Sequence, residues 1–140
     1  LRLSNVYGPR QDPYGEAGVI AILLDNIIKN KTFYINGDGE QTRDYIYVAD
    51  IVHALSSFLD KAEGIYNIGT GEEKSLLDLI NNIKEISKTN LKTAHRDAIV
   101  GEVKRSCLNS GKVGIDVDWK SKYDLKQGLE LTYRWFKEER

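Results

Sequence analysis

The sequence predicts an α/β fold, a small mixed sheet with about four helices. Three observations carry this reading. Short β-rich runs alternate with stripes of apolar residues at helical spacing. Glycine and proline turn signals separate them. The chain has 140 residues, 41% hydrophobic and 29% charged, a composition that suits one globular domain with a real core.

The elements follow in order. Leu1–Tyr7 alternates like a strand and Gly8-Pro9 ends it. Residues 8–16 hold both prolines and read as a loop. Ile20, Leu23, Leu24, Ile27 and Ile28 recur as on a helix, with Lys29 at its end. Phe33 and Ile35 suggest a short strand, and Asn36-Gly37 and Asp38-Gly39 are adjacent turn signals. Asp44–Val48 is β-rich, and Ile51, Val52, Leu55, Phe58 and Leu59 form the next helical stripe. Ile65–Ile68 reads as a strand entering Gly69-Thr70-Gly71. Ser75 with Asp78 is an N-cap pair ahead of Leu76, Leu79, Ile80 and Ile83. Short strands are expected near Leu91–Ala94 and Val103–Leu108, and a last helix from Leu125 to Phe136.

Composition excludes several function classes. A net charge of -1 argues against a general binder of nucleic acid or membrane surfaces, which needs a basic excess. One cysteine excludes an intrachain disulfide framework, and two histidines leave little for a zinc site, so no metal is expected. No apolar run reaches the roughly 18 residues of a membrane span. No signal peptide opens the chain, so the cytoplasm is the expected compartment and the Asn30-Lys31-Thr32 glycosylation triplet reads as chance. There is no methionine, and the chain opens inside a strand, which reads as a piece of a longer protein.

The most informative stretch runs from Gly37 to Asp50. Arg43 lies between a glycine-rich turn and a strand, where a guanidinium can grip an anion in bidentate fashion or pair with Asp44 or Asp50. Asp50 opens a helix, where the dipole favours a carboxylate. Gly69-Thr70-Gly71 looks like half a dinucleotide loop, but Lys74 stands where the third glycine belongs, so it reads as a tight turn before a capped helix. His53 falls on the helix beside Val52 and Leu55 and is expected as a surface or boundary residue. Cys107 is expected as a small buried side chain of a strand. Tyr14, Tyr45 and Tyr47 are candidates for ligand contact or for strand packing.

Leu1–Gln11, with its Asn5-Val6-Tyr7-Gly8-Pro9 core, resembles the entry to the C-terminal half of the extended short-chain dehydrogenase/reductases, the NAD-dependent nucleotide-sugar epimerases and dehydratases. Gly37-Asp38-Gly39, Arg43-Asp44-Tyr45 and Val48-Ala49-Asp50 are similar to the family's central stretch. Ile65–Gly71, Gly101–Ser106 and Gly128-Leu129 with Trp135-Phe136 follow in family order. Gln11–Gly18 is similar to UDP-glucose 4-epimerase-like members in particular.

The resemblance implies that residues 1–140 form the substrate-binding, C-terminal portion of an extended Rossmann-type fold, with late strands of the cofactor sheet. It implies that Asn5 hydrogen-bonds a nucleotide-diphosphate sugar, a UDP-sugar in the epimerase case. It implies that Arg43 grips the phosphates and that Val19 and Ile20 pack the base. Leu3 occupies a position where many epimerases carry an aromatic beside the nicotinamide, and so is the cofactor-side residue. A second family arginine usually precedes the Gly-Glu pair; Ile99-Val100 stands there, and Arg96 is the nearest candidate to replace it. NAD would be bound mainly by an N-terminal half carrying Gly-x-x-Gly-x-x-Gly and a catalytic Tyr-x-x-x-Lys. Neither motif is expected in this chain, so no catalytic residue is assigned to it and it is expected to be inactive alone. A homodimeric parent is implied. The same scaffold also serves 4,6-dehydratases and decarboxylases, and a non-catalytic nucleotide-sugar-binding module is a further alternative.

Overall fold

The structure is a computed structural model and describes residues 1–15, 18–59 and 63–139. The elements are β1 (Arg2–Leu3), β2 (Asn5–Tyr7), α1 (Val19–Ile28), β3 (Phe33–Asn36), β4 (Thr42–Arg43), β5 (Tyr45–Tyr47) and α2 (Val48–Ser57). There follow β6 (Asn67–Ile68), β7 (Lys74–Ser75), α3 (Leu76–Ser87), β8 (Thr93–Arg96), β9 (Arg105–Ser106), α4 (Gly111–Val117) and α5 (Leu125–Glu138). The α/β class stands, with five helices among the described residues rather than about four. The additional one, α4, is short, and its glycines and β-branched residues are poor helix formers. It is held by burying Val113 and Val117.

The small sheet is divided. β1–β6, β2–β5 and β3–β8 are parallel pairs, and β7–β4–β9 is a three-stranded mixed sheet. The alternating run at the start of the chain changes partners at its middle. Ser4 N donates to Ile68 O at 2.9 Å, and Asn5 N to Asp44 O at 2.9 Å. One extended segment thus joins two sheets.

The main core lies between α1, α3 and α5, where Leu23, Leu24, Leu79, Ile83, Leu129 and Phe136 are sealed from solvent, with Phe33 and Ile35 of β3 packed against them. A second cluster joins Ile46, Ile51, Ala54, Ile68, Val113, Val117 and Trp119. The stripe read on α2 is only partly buried. Ile51 and Ala54 face the second cluster, but Val52, Leu55 and Leu59 are exposed.

Caps set the helix starts. Ser75 and Asp78 form the expected capping box of α3, with Asp78 N donating to Ser75 Oγ at 3.0 Å and Ser75 N to Asp78 Oδ2 at 2.8 Å. Asp124 and Gln127 form a second box at α5, a pair the sequence reading passed over. Gly39 adopts φ +81°, and a Cβ there would stand 2.9 Å from Leu77 Cδ2, so the turn before β4 needs glycine twice over.

Two buried carboxylates organise the loops. Asp50, fully buried, accepts from Lys122 N at 2.8 Å and Tyr123 N at 3.2 Å, tying α2 to the approach of α5. Asp44, 1% exposed, accepts from Thr70 N (2.9 Å), Thr70 Oγ1 (2.7 Å), Gly71 N (3.2 Å) and Leu108 N (3.4 Å).

Hydrogen bonds to a charged group contribute about 1.5–3 kcal/mol each, so Asp44→Asn should cost about 2–3 kcal/mol and Asp44→Ala more, read as lowered urea midpoints. At Gly128 a Cβ would lie 2.1 Å from Tyr7 Oη and 3.2 Å from Tyr47 Cβ. Gly128→Ala should cost about 1–3 kcal/mol by overpacking. Adding Tyr7→Phe should return part of that loss, because it removes the atom nearest the new methyl group; a purely additive double variant would contradict this packing account.

Candidate functional site

Arg43 ends β4, and its guanidinium is mostly covered, with 19% of the side chain exposed. Nη1 donates to Thr42 O at 2.8 Å. Neither acid proposed as its ion-pair partner takes that role, because backbone N–H groups occupy Asp44 and Asp50. Arg43 Nη2 instead lies 3.6 Å from Glu102 Oε1, its one ion-pair partner among the described residues. That separation is too long for a charge-assisted hydrogen bond. Glu102 follows a turn closed by Glu102 N donating to Ile99 O at 3.2 Å, with Gly101 at φ +82°. Beside this pair, burial pushes the Tyr45 hydroxyl up to about 12 against the opposing field of Arg43, so it stays protonated at neutral pH.

The other candidates are distributed as follows. Asn5 begins β2 with an exposed side chain, and parallel pairing sets it opposite Tyr45, two residues beyond Arg43. Val19 is half-buried at the start of α1. Ile20 is 2% exposed and turned into the main core, so of the two Val19 has the more open side chain. Leu3 is 44% exposed on β1. Arg96 stacks 3.5 Å over the Tyr34 ring and, with Ile22, Asn26 and Asn36, lines a separate cavity of about 530 Å³. The two arginines are thus held by different partners, Glu102 and Tyr34.

Several readings change. Tyr45 and Tyr47 are buried, and Tyr14 donates to Asp25 Oδ2 at 3.1 Å and accepts from Lys29. Cys107 is exposed, not buried: it follows β9, whose two residues are themselves exposed, so this edge of the sheet has nothing packed over it. Partial desolvation, then Asp44 and Glu73, push its thiol pKa up, which disfavours a nucleophile. His53 is half-buried on α2, as a boundary residue should be. Tyr133 and Lys137 do have the Tyr-x-x-x-Lys spacing that was not expected in this chain. They sit on α5, where Tyr133 packs against the main core, and four-residue spacing on a helix assigns no chemistry by itself. Glu16 and Ala17 of the Gln11–Gly18 motif lie outside the described residues.

The glycine turn does not fit the phosphates of NAD. The N–H groups of Thr70 and Gly71, which a pyrophosphate would need, donate to Asp44. Among the described residues no group of three or more His, Cys, Asp or Glu is placed to hold a metal, and no helix is long and apolar enough to cross a membrane.

Beside Arg43, Thr42 Oγ1 donates to Glu73 Oε2 at 2.8 Å, and Arg105 forks onto both Glu73 oxygens at 3.0 Å. Arg105 first and Thr42 second hold the Glu73 carboxyl below its usual range. A depressed carboxylate stabilises the fold above its unfolded pKa, and that contribution disappears as pH falls through the folded value. The stability gap between the wild type and Glu73→Gln should therefore be largest near neutrality and close between about pH 5 and pH 3 in urea titrations. A gap independent of pH would remove Glu73 from this role.

Comparison with known proteins completes the picture. The sequence profile described as the NAD dependent epimerase/dehydratase family matches residues 1–69. A Methanocaldococcus jannaschii protein assigned by name to UDP-glucose 4-epimerase is 43% identical over 137 residues, 98% of this chain and 45% of its own length. A dTDP-D-glucose 4,6-dehydratase of Bos taurus is 32% identical over 146 residues, 98% of this chain and 40% of its own. The crystal structure of a UDP-glucose 4-epimerase of Thermotoga maritima with UDP-glucose superposes with a TM-score of 0.95 at 39% identity, covering 99% of this chain and 45% of that one. The chain spans less than half the length of these relatives. With motif order, backbone and sequence agreeing along its length, the chain belongs to the NAD dependent epimerase/dehydratase family of extended short-chain dehydrogenase/reductases.

Proposed function

We propose that this chain is the nucleotide-sugar-holding portion of an NAD-dependent nucleotide-sugar 4-epimerase acting on a UDP-sugar. The observation that supports it most is Arg43. It is a mostly covered guanidinium whose acidic neighbours in sequence are engaged elsewhere, and its pair with Glu102 is loose at 3.6 Å. A diphosphate offers it shorter, bidentate bonds.

In this reading Arg43 takes the phosphates, the exposed Asn5 amide takes a diphosphate or sugar oxygen, and Val19 supports the base, with Ile20 behind it in the core. Arg96, stacked on Tyr34 and lining a cavity that Arg43 does not line, is left out of this grip, so Arg43 carries the phosphates without the arginine absent at Ile99. Bound NAD supplies the hydride acceptor and donor for C4 of the sugar. The chain's own task is to hold the nucleotide fixed while the sugar turns. Leu3, exposed on β1, lies on the cofactor side. The NAD loop and the catalytic tyrosine belong to a further portion of the protein, so residues 1–140 alone bind without turning over. A cytoplasmic location and a homodimeric parent go with this reading.

The likeness to a 4,6-dehydratase favours one second reading, the same scaffold serving elimination of water from a dTDP-sugar. Assaying a longer protein that carries this chain with UDP-glucose and dTDP-glucose separates the two by product.

Charged hydrogen bonds of about 1.5–3 kcal/mol imply that Arg43→Ala weakens UDP-sugar binding about 10- to 150-fold by calorimetry, with little change in thermal midpoint. Unchanged affinity would return Arg43 to a structural role.

A further inference from the structure

The two members of the Arg43–Glu102 pair are held very differently. Arg43 is fixed. Its Nη1 donates to Thr42 O at 2.8 Å, and β4 is paired on both sides, with β7 and with β9. Glu102 sits on a loop tied only at its ends. Gly37 N donates to Arg96 O at 2.9 Å, and Thr42 N donates to Lys104 O at 2.8 Å. Among the described residues one backbone bond lies between those ties, from Glu102 N to Ile99 O at 3.2 Å. Ile99, Val100 and Val103 are more than half exposed, so the loop's apolar side chains do not anchor it in the core. Gly101 has φ +82°, and nothing lies within 4 Å of where its Cβ would stand.

Glu102 also has somewhere to go. It borders a cavity of about 370 Å³ whose wall carries the Gln41 amide and the Lys104 ammonium. A diphosphate at Arg43 would bring negative oxygens to the guanidinium that Glu102 now faces. Like charges sharing one cation repel, and the fork of an arginine matches one bidentate partner at a time. The carboxylate must then move aside. A short, dry pair would resist that movement. A contact at 3.6 Å with the glutamate side chain 30% exposed does not.

We propose that Glu102 is a built-in competitor for the diphosphate. It balances Arg43 while the site is empty, yields the guanidinium to the phosphates, and by returning favours release of the nucleotide. This role rests on the reading of Arg43 as the phosphate cation and adds how that grip is loosened.

Inorganic pyrophosphate is the probe, because it offers the charged groups without base or sugar. Calorimetry should show binding to the wild type that Arg43→Ala weakens. Glu102→Gln keeps the shape and removes the charge. It should tighten pyrophosphate about two- to fivefold, the range expected of a partly exposed ion pair, with little change in thermal midpoint. Asp38→Asn removes an exposed carboxylate from the same cavity wall and should leave the affinity nearly unchanged. If binding depends on Arg43 but Glu102→Gln leaves it equal or weaker, the competitor role is overturned and the phosphate reading stands. An equal gain from Asp38→Asn would also overturn it, by reducing the effect to net charge. No pyrophosphate binding to either the wild type or Glu102→Gln would overturn both.

Discussion

The carboxylate of Asp44 is the constraint on which the remaining architecture turns. A buried charge survives only when donors surround it, and here two separate stretches of chain supply them, Thr70–Gly71 and Leu108. Its backbone carbonyl also receives Asn5 N, so one residue collects the start of β2, the Gly69–Gly71 turn and the segment after β9. Gly69 follows from this. A Cβ there would stand 2.3 Å from Asp44 Oδ2, so the turn has no room for a side chain where the carboxylate sits. The same bonds explain why a glycine turn after a strand is not a phosphate loop here.

The cation at residue 43 acquires its character from that arrangement. With Asp44 and Asp50 serving backbone amides, the guanidinium has only a loosely placed glutamate to balance it. A neighbour in sequence is no guide to a partner in space when the neighbour's side chain points across the sheet.

Much of the molecule was legible in the sequence, for identifiable reasons. The α1 and α3 stripes and the Ser75–Asp78 cap rest on local periodicity and local hydrogen bonding, so they were readable. Strand partners were not, because pairing depends on residues far apart. Nothing in Leu1–Tyr7 shows that the run leaves β6 for β5 at Ser4. The exposure of Val52 and Leu55 was illegible because an apolar stripe states what a helix can bury, not what is there to cover it. Arg43 was singled out from its setting between turn and strand. Glu102 was missed as its partner because 59 positions separate them and only the folded turn at Gly101 closes the distance.

The parallel pairing of β2 with β5 has an evolutionary consequence. It fixes Asn5 opposite Tyr45, and hence at a set remove from Arg43, through backbone bonds alone. Side-chain substitution leaves such a spacing largely untouched. The loop from Arg96 to Glu102, mostly exposed and outside regular strands after Arg96, is under no such restraint. Inheritance can therefore keep the span between an amide and a guanidinium while the surroundings drift, one way a lineage diversifies its chemistry without inventing a new framework.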